Sequence, residues 1–246
     1  MKIKARVEEL AALRKRWSAP EQAEVLEQRR GHAAWCNAGI EGNPLSWLQA
    51  RRLLARGSAE TAQAQELEIL GCARAWAFME DWEGALSAGL LRHLHTLLMA
   101  GLKGDAGVLR KREVAIVRES GPEAGETVFR PPHPARVPEL LDGLVDTLSA
   151  AEDPFLQAGR FHYEFQSIHP FSDGNGRMGR ILSSWLARRG WPSAGFHLEP
   201  AVARAGPAYY LALRAVRPDY RSEIRDGLRP WLLPFFDMVA DALRHP

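Results

Sequence analysis

The sequence predicts an all-α domain with one β-hairpin. Three observations carry this reading. Apolar residues recur at helical spacing along most of the chain. Only two short runs, Val114–Val117 and Thr127–Phe129, read as strand. No further buried strand runs exist to build a parallel sheet. A length of 246 residues suffices for a buried core, and 46% apolar with 25% charged residues excludes a disordered or collagen-like chain.

The elements follow in order. Leu10, Leu13 and Trp17 share one face of a first helix. Ser18, Pro20 and Glu21 spell a helix start with a capping box, and that second helix runs to about Gly39. Ser46 caps a short third helix that stops before Gly57. Ser58 or Thr61 opens a longer one through Glu68, Ile69 and Trp76. Leu90, Leu91, Leu94, Leu97 and Leu98 mark a buried helix before Gly101. The hairpin spans 107–132, with Ser120-Gly121-Pro122 in its long turn and Pro131-Pro132 closing it. Helical spacing resumes at Pro138 and continues through Phe155, Phe161, Phe165 and Ile168. Further helices start at Arg177, about Glu199 and Leu228. The tryptophans, Trp76 and Trp185 among them, sit at core spacing, and His93, His95 and His162 read as structural.

No uncharged apolar run approaches the ~18 residues of a transmembrane helix. Charges at Lys2, Lys4, Arg6, Glu8 and Glu9 interrupt any signal-peptide core, so a cytoplasmic protein is expected. Cys36 and Cys72 are too few for a disulfide scaffold and are expected as reduced thiols. A net charge of +2 gives no electrostatic case for nucleic acid.

One stretch carries chemistry: His169-Pro170-Phe171-Ser172-Asp173-Gly174-Asn175-Gly176-Arg177-Met178-Gly179-Arg180. Gly174 and Gly176 allow a sharp turn and close ligand approach. An apolar-periodic helix begins directly afterwards, and its first N–H groups make an anion site. Arg177 and Arg180 share its first turn and suit phosphate oxygens. Asp173 is a hard oxygen ligand suited to Mg²⁺ held with a nucleotide. His169 is the loop's only group that exchanges a proton near neutral pH. Gly174 to Gly179 also spells G-x-G-x-x-G, but a dinucleotide fold needs a parallel sheet, and a P-loop needs a Gly-Lys-Ser/Thr that is absent. Zinc is disfavoured because no Cys or His nearby completes a set with His169 and Asp173.

His169 to Arg180 resembles the Fic-domain signature, H-P-F-x-D/E-G-N-G-R-x-x-R, at every fixed position. The resemblance extends more loosely over about Ser87 to Phe236, and it implies a Fic-type helical bundle with a hairpin flap. Residues 1–85 would form an N-terminal helical part and 86–246 the core domain. The implied reaction is transfer of AMP from ATP to a Ser, Thr or Tyr hydroxyl of a target protein. By resemblance, His169 would deprotonate that hydroxyl, Asp173 would hold Mg²⁺, and Gly174, Asn175 and Gly176 would bind phosphate oxygens. Arg177 and Arg180 would offset charge on the leaving diphosphate. Phe171 would anchor the loop in the core. Tyr209 and Tyr210 are similar to the family's pattern near the nucleotide base, although core packing is their default reading.

Asn37-Ala38-Gly39-Ile40-Glu41-Gly42 resembles the family's inhibitory motif, S/T-x-x-x-E-G/N, with Asn37 in place of Ser or Thr. The resemblance implies that Glu41 faces Arg180 and keeps the γ-phosphate out. In some relatives the same glutamate positions water to remove AMP. The 107–132 hairpin would dock an extended segment of the target, its edge charges Arg118, Glu119 and Glu123 being the structural alternative. The resemblance leaves room for a homodimer that buries the Glu41 helix. Rival readings keep the fold but transfer uridylyl, phosphoryl or phosphocholine groups, or reduce the chain to a nucleotide-binding module.

Overall fold

The computed structural model describes residues 3–15, 23–57, 62–117, 127–148, 152–189, 195–216 and 227–245. Helix α1 spans Ile3–Arg14, α2 Ala23–Ile40, α3 Trp47–Arg56, α4 Ala64–Glu80 and α5 Ala88–Met99. After the hairpin come α6, Val137–Asp146, α7, Pro154–Ile168, and α8, Asn175–Ala187. Helices α9, Glu199–Ala205, α10, Pro207–Arg214, and α11, Arg229–Arg244, complete the set among the described residues. The fold is all-α with a hairpin, as expected.

Helix α8 is the centre. Every residue of it from Arg177 to Ala187 is buried, and its apolar side chains Met178, Ile181, Leu182 and Leu186 are fully enclosed. Helix α7 lies against it through Phe161, Phe165 and Ile168. On the far side of α7, the Trp231 indole N–H of α11 donates to Gly159 O at 2.7 Å. Helix α1 closes that side through Leu10 and through Arg6, which pairs with Glu9 and Asp237. Helix α2 crosses α4 and α9, so its C-terminal end reaches the start of α8. Burying this apolar set at about 25 cal/mol per Å² is the main stabilising contribution.

Strands β1, Ile116–Val117, and β2, Thr127–Phe129, pair antiparallel, Ile116 with Phe129 and Val117 with Thr127. The extra residue between those pairs makes a bulge. Val114 and Ala115 lie outside the strand. The turn expected at Ser120-Gly121-Pro122, with Arg118, Glu119 and Glu123, falls outside the described residues, as do Trp17 and the Ser18–Glu21 start.

The Ser46 cap is present, its side chain accepting from Gln49 N, and Gly57 ends α3 at φ 65°. Three boundaries differ from the sequence reading. Helix α4 starts at Ala64, where Glu66 accepts from Gln63 N at 3.0 Å; Ser58 and Thr61 lie outside the described residues. Helix α8 starts two residues early, at Asn175. The helix expected from Glu199 is two helices. Gly206, at φ 54° and ψ −128°, leaves helical space, and Pro207 restarts the chain as α10. Cys36 and Cys72 are free, and burial pushes both thiols up to about 12.

Candidate active site

Helix α7 ends where His169 turns into the left-handed region, φ 50° and ψ 62°. Among the described residues it is the one non-glycine residue with positive φ. Such a conformation is costly and persists only when its surroundings enforce it. Arg110 does so. Its Nε donates to His169 O at 2.7 Å and its Nη2 to Ile168 O at 3.3 Å. The following residues fold back on themselves. The Asn175 amide donates to Phe171 O at 2.9 Å and accepts from Phe171 N at 3.0 Å. Phe171 is fully buried and stacks on His95 at 3.8 Å between centroids. Gly107 N donates to His95 Nδ1 at 2.8 Å, so His95 carries its proton on Nε2 and donates it to Asp173 O at 3.1 Å. Burial lowers the His95 pKa, which keeps that tautomer neutral.

Gly174 then takes φ 75° ahead of α8, where a Cβ would meet Met99 Sδ at 2.8 Å. The first intrahelical bond is Met178 N to Gly174 O at 3.0 Å. Backbone N–H groups before Met178 therefore lack a carbonyl one turn back and are placed to receive an anion. A Cβ at Gly176 would collide with the Glu41 carboxylate and displace it from its place beside Arg180.

The charges divide into two sides. Asp173 Oδ1 accepts from Gly174 N at 2.6 Å and from Arg177 Nη2 at 3.2 Å, while its Oδ2 lies 3.7 Å from Lys103 Nζ. Arg177 is 3% exposed, and its Nε and Nη1 are buried without a hydrogen-bond partner among the described residues. Glu68 Oε1 stands 3.7 Å from that Nη1. On the other side Arg180, fully buried, donates from Nε to Asn37 Oδ1 at 2.6 Å and from Nη2 to Asn37 O at 3.3 Å and to Glu41 Oε1. Burial works most strongly against its charge, Glu41 together with Tyr209 and Tyr210 outweighs it, and the Arg180 pKa ends above its ordinary value. Asn37 also donates to Arg177 O at 3.0 Å, so its amide accepts from one arginine through Oδ1 and donates to the backbone of the other through Nδ2.

The His169 imidazole is pushed down to about 4, chiefly by burial and further by Arg110, against the Gln166 carbonyl, Glu41 and Asp173. It is neutral at pH 7, and among the described residues its buried Nδ1 has no partner within hydrogen-bond distance.

The structure separates the two tyrosines expected near the base. Tyr209 is 2% exposed and belongs to the core. Its hydroxyl meets His162 Nε2 at 2.8 Å, and Arg180 lies 6.0 Å from its ring centre. Ser183 Oγ donates to Gly179 O at 2.6 Å, so it must accept from His162 Nδ1–H at 2.9 Å. That leaves His162 Nε2 bare to accept from Tyr209, a buried chain of bonds directly behind Arg180. Tyr210 is at the surface, donating to Ile40 O at 3.2 Å on the end of α2. The Asn175 side chain, 1% exposed, closes the loop through Phe171. Arg110, Lys103 and Glu68 join the site without any motif to announce them.

The helical bundle thus carries a left-handed histidine, a glycine turn and a helix start with buried arginines side by side. Residues 85–187 match the Fic/DOC family, and the chain belongs to that family. It is 30% identical over 184 residues to protein adenylyltransferase fic-1 of Caenorhabditis briggsae, across 71% of this chain and 34% of that protein. A probable protein adenylyltransferase of Aquifex aeolicus is 46% identical over 105 residues, across 42% of this chain and 30% of that protein. The chain thus spans about a third of the length of the curated relatives it matches. A Fic family protein of Desulfovibrio desulfuricans superposes with a TM-score of 0.83 at 27% identity, over 98% of this chain and 73% of that one. Fic-1 of Caenorhabditis elegans shares the fold, with a TM-score of 0.70 at 21% identity over 98% of this chain and 72% of that one. Among the described residues, no helix is long and apolar enough to cross a membrane.

Proposed function

We propose that this chain transfers AMP from ATP to a Ser, Thr or Tyr hydroxyl of a target protein, and that Glu41 holds it inactive. The observation that carries the reading is the contact of Glu41 with Arg180, at the helix start where a nucleotide's phosphates would lie. Relatives named protein adenylyltransferases support the chemistry at the level of the family.

His169 is neutral at pH 7 and takes the proton of the incoming hydroxyl. The freed oxygen bonds to the α-phosphorus as the bond from that phosphorus to the bridging oxygen breaks. AMP stays on the target and diphosphate leaves. The N–H groups at the start of α8, with Arg177 and Arg180, bind phosphate oxygens and offset the charge that builds on the leaving group. Among the described residues no group of three His, Cys, Asp or Glu side chains gathers to cage a metal. The half-exposed Asp173 carboxylate fits a Mg²⁺ ion shared with substrate phosphates. Bound there, such an ion would neutralise phosphate charge. The 107–132 hairpin docks the target's extended segment on this reading.

The test is labelling from α-labelled ATP. Glu41→Gly should raise incorporation by about 5- to 150-fold, the range of an ordinary coupling energy. Adding His169→Ala should lower it by about 10²–10⁴-fold. Incorporation from γ-labelled ATP in place of α-labelled would reject AMP transfer.

A further inference from the structure

Arg110 is a charged side chain only 5% exposed, and its hydrogen bonds go to main-chain carbonyls. Its Nε reaches His169 O at 2.7 Å, Nη1 reaches Arg112 O at 3.2 Å, and Nη2 reaches both Ile168 O and Pro132 O. Its own N–H donates to Pro170 O at 2.9 Å. One side chain therefore joins the last turn of α7, the left-handed histidine and both roots of the hairpin. Burying a guanidinium costs free energy. A planar fork repays that cost only where several fixed acceptors match it. The acceptors here surround the one strained non-glycine residue among those described.

Resting on the reading of His169 as the base, we infer that Arg110 is a positioning residue that fastens the His169 turn to the root of the target-docking hairpin. Its guanidinium touches no reacting atom. It fixes where the imidazole stands relative to a hydroxyl delivered on the hairpin. His95 performs the same kind of fastening one step along, joining Gly107 N of the hairpin root to Asp173 O of the loop. The hairpin root and the loop thus move as one body.

Two measurements decide it. In the Glu41→Gly chain, Arg110→Met should lower the maximal rate of self-labelling at least about tenfold, towards the hundredfold that an ångström of misplacement costs. The apparent KM for ATP should change less than about twofold, because Arg110 contacts no part of the phosphate site. Arg110→Lys should not restore the rate, since an ammonium cannot bridge these carbonyls. A rate equal to the parent's, a KM rising in step with the rate loss, or rescue by lysine would overturn the proposal. The second measurement is independent of activity. In a crystal structure of Arg110→Met, residue 169 should leave positive φ, and an unchanged left-handed His169 would overturn the proposal. If the Glu41→Gly parent itself labels nothing, the adenylyl reading fails, while the crystal structure still decides the role of Arg110.

Discussion

On the first two turns of α8, Arg180 is closed in by helix α2, whereas Arg177, three residues earlier, keeps two buried nitrogens without a hydrogen-bond partner among the described residues. Both guanidiniums are buried, so both lost their water. For Arg180 the loss is made good by Asn37, by Glu41 and by the carbonyl end of α2, where a cation is favoured. For Arg177 it is made good only partly, by Asp173 at 3.2 Å and by Glu68 beyond hydrogen-bond distance. A buried donor left unmade costs about 1–3 kcal/mol. On the proposed reading, the satisfied contact at Arg180 would resist ligand entry, and a phosphate would complete the donors of Arg177.

The largest effect expected from this contrast is on stability. Arg180→Ala strips Asn37 Oδ1 of its partner and leaves a void, and it should cost about 3 kcal/mol in urea unfolding. Arg177→Ala removes the same charge from the same helix, yet relieves two unmade donors, and it should cost about 1 kcal/mol or less. Equal losses would break the comparison. In the Glu41→Gly chain, Arg177→Ala should weaken ATP binding about 10- to 100-fold by calorimetry, the worth of one charge-assisted contact.

A somewhat smaller effect comes from behind Arg180. His162 is held down to about 3, by burial first and Arg180 second. Unfolded, it takes a proton near 6.5. Between these values the unfolded chain binds a proton that the folded chain refuses. Stability from this group is therefore complete above pH 6.5 and is lost as pH falls towards 3. Between pH 6.5 and 4.5 the loss should be about 2–3 kcal/mol. His162→Gln should flatten that part of the stability profile. His169 adds a slope of the same sign down to about pH 4, which the variant retains. An unchanged profile would show that the chain behind Arg180 is not built around a neutral histidine.

Much of this fold was legible because helical periodicity and a twelve-residue loop are local signals. The core faces of α5, α7 and α8 follow from apolar spacing alone, and Ser46 and Gly57 bracket α3 by their own chemistry. The Gly206-Pro207 break carries a local signal too, two residues that each disfavour helix, although helical spacing continues on either side of it. What stayed hidden depends on distant pairing. Arg110 sits in Arg110-Lys111-Arg112, and only the path of the chain brings carbonyls from residues 132, 168 and 169 to the first of the three. His95 and Asp173 are 78 positions apart. For Tyr209 and Tyr210, one step along α10 decides which enters the core, and only the docking of α10 selects it.

The smallest expected effect tests whether the two sides of the site communicate. Glu68 touches both: its Oε2 accepts from Asn43 Nδ2 at 2.6 Å, just past the turn that carries Glu41, and its Oε1 faces Arg177 at 3.7 Å. Asn43 Nδ2 also donates to Gln65 O at 2.8 Å, and Asn43 Oδ1 accepts from Leu45 N at 3.1 Å. This amide ties the segment carrying Glu41 to α4, independently of Arg180. These are half-exposed hydrogen bonds, so Asn43→Ala should cost about 1 kcal/mol of stability. If part of that loss loosens the Glu41 turn, basal labelling from α-labelled ATP should rise by no more than about fivefold, the factor that 1 kcal/mol allows. Asn43→Ala in the Glu41→Gly chain should add nothing, because the contact it steadies is gone. A rise that persists without Glu41 would place the influence of Asn43 on Glu68 and Arg177 instead, and the two sides would then be one coupled unit.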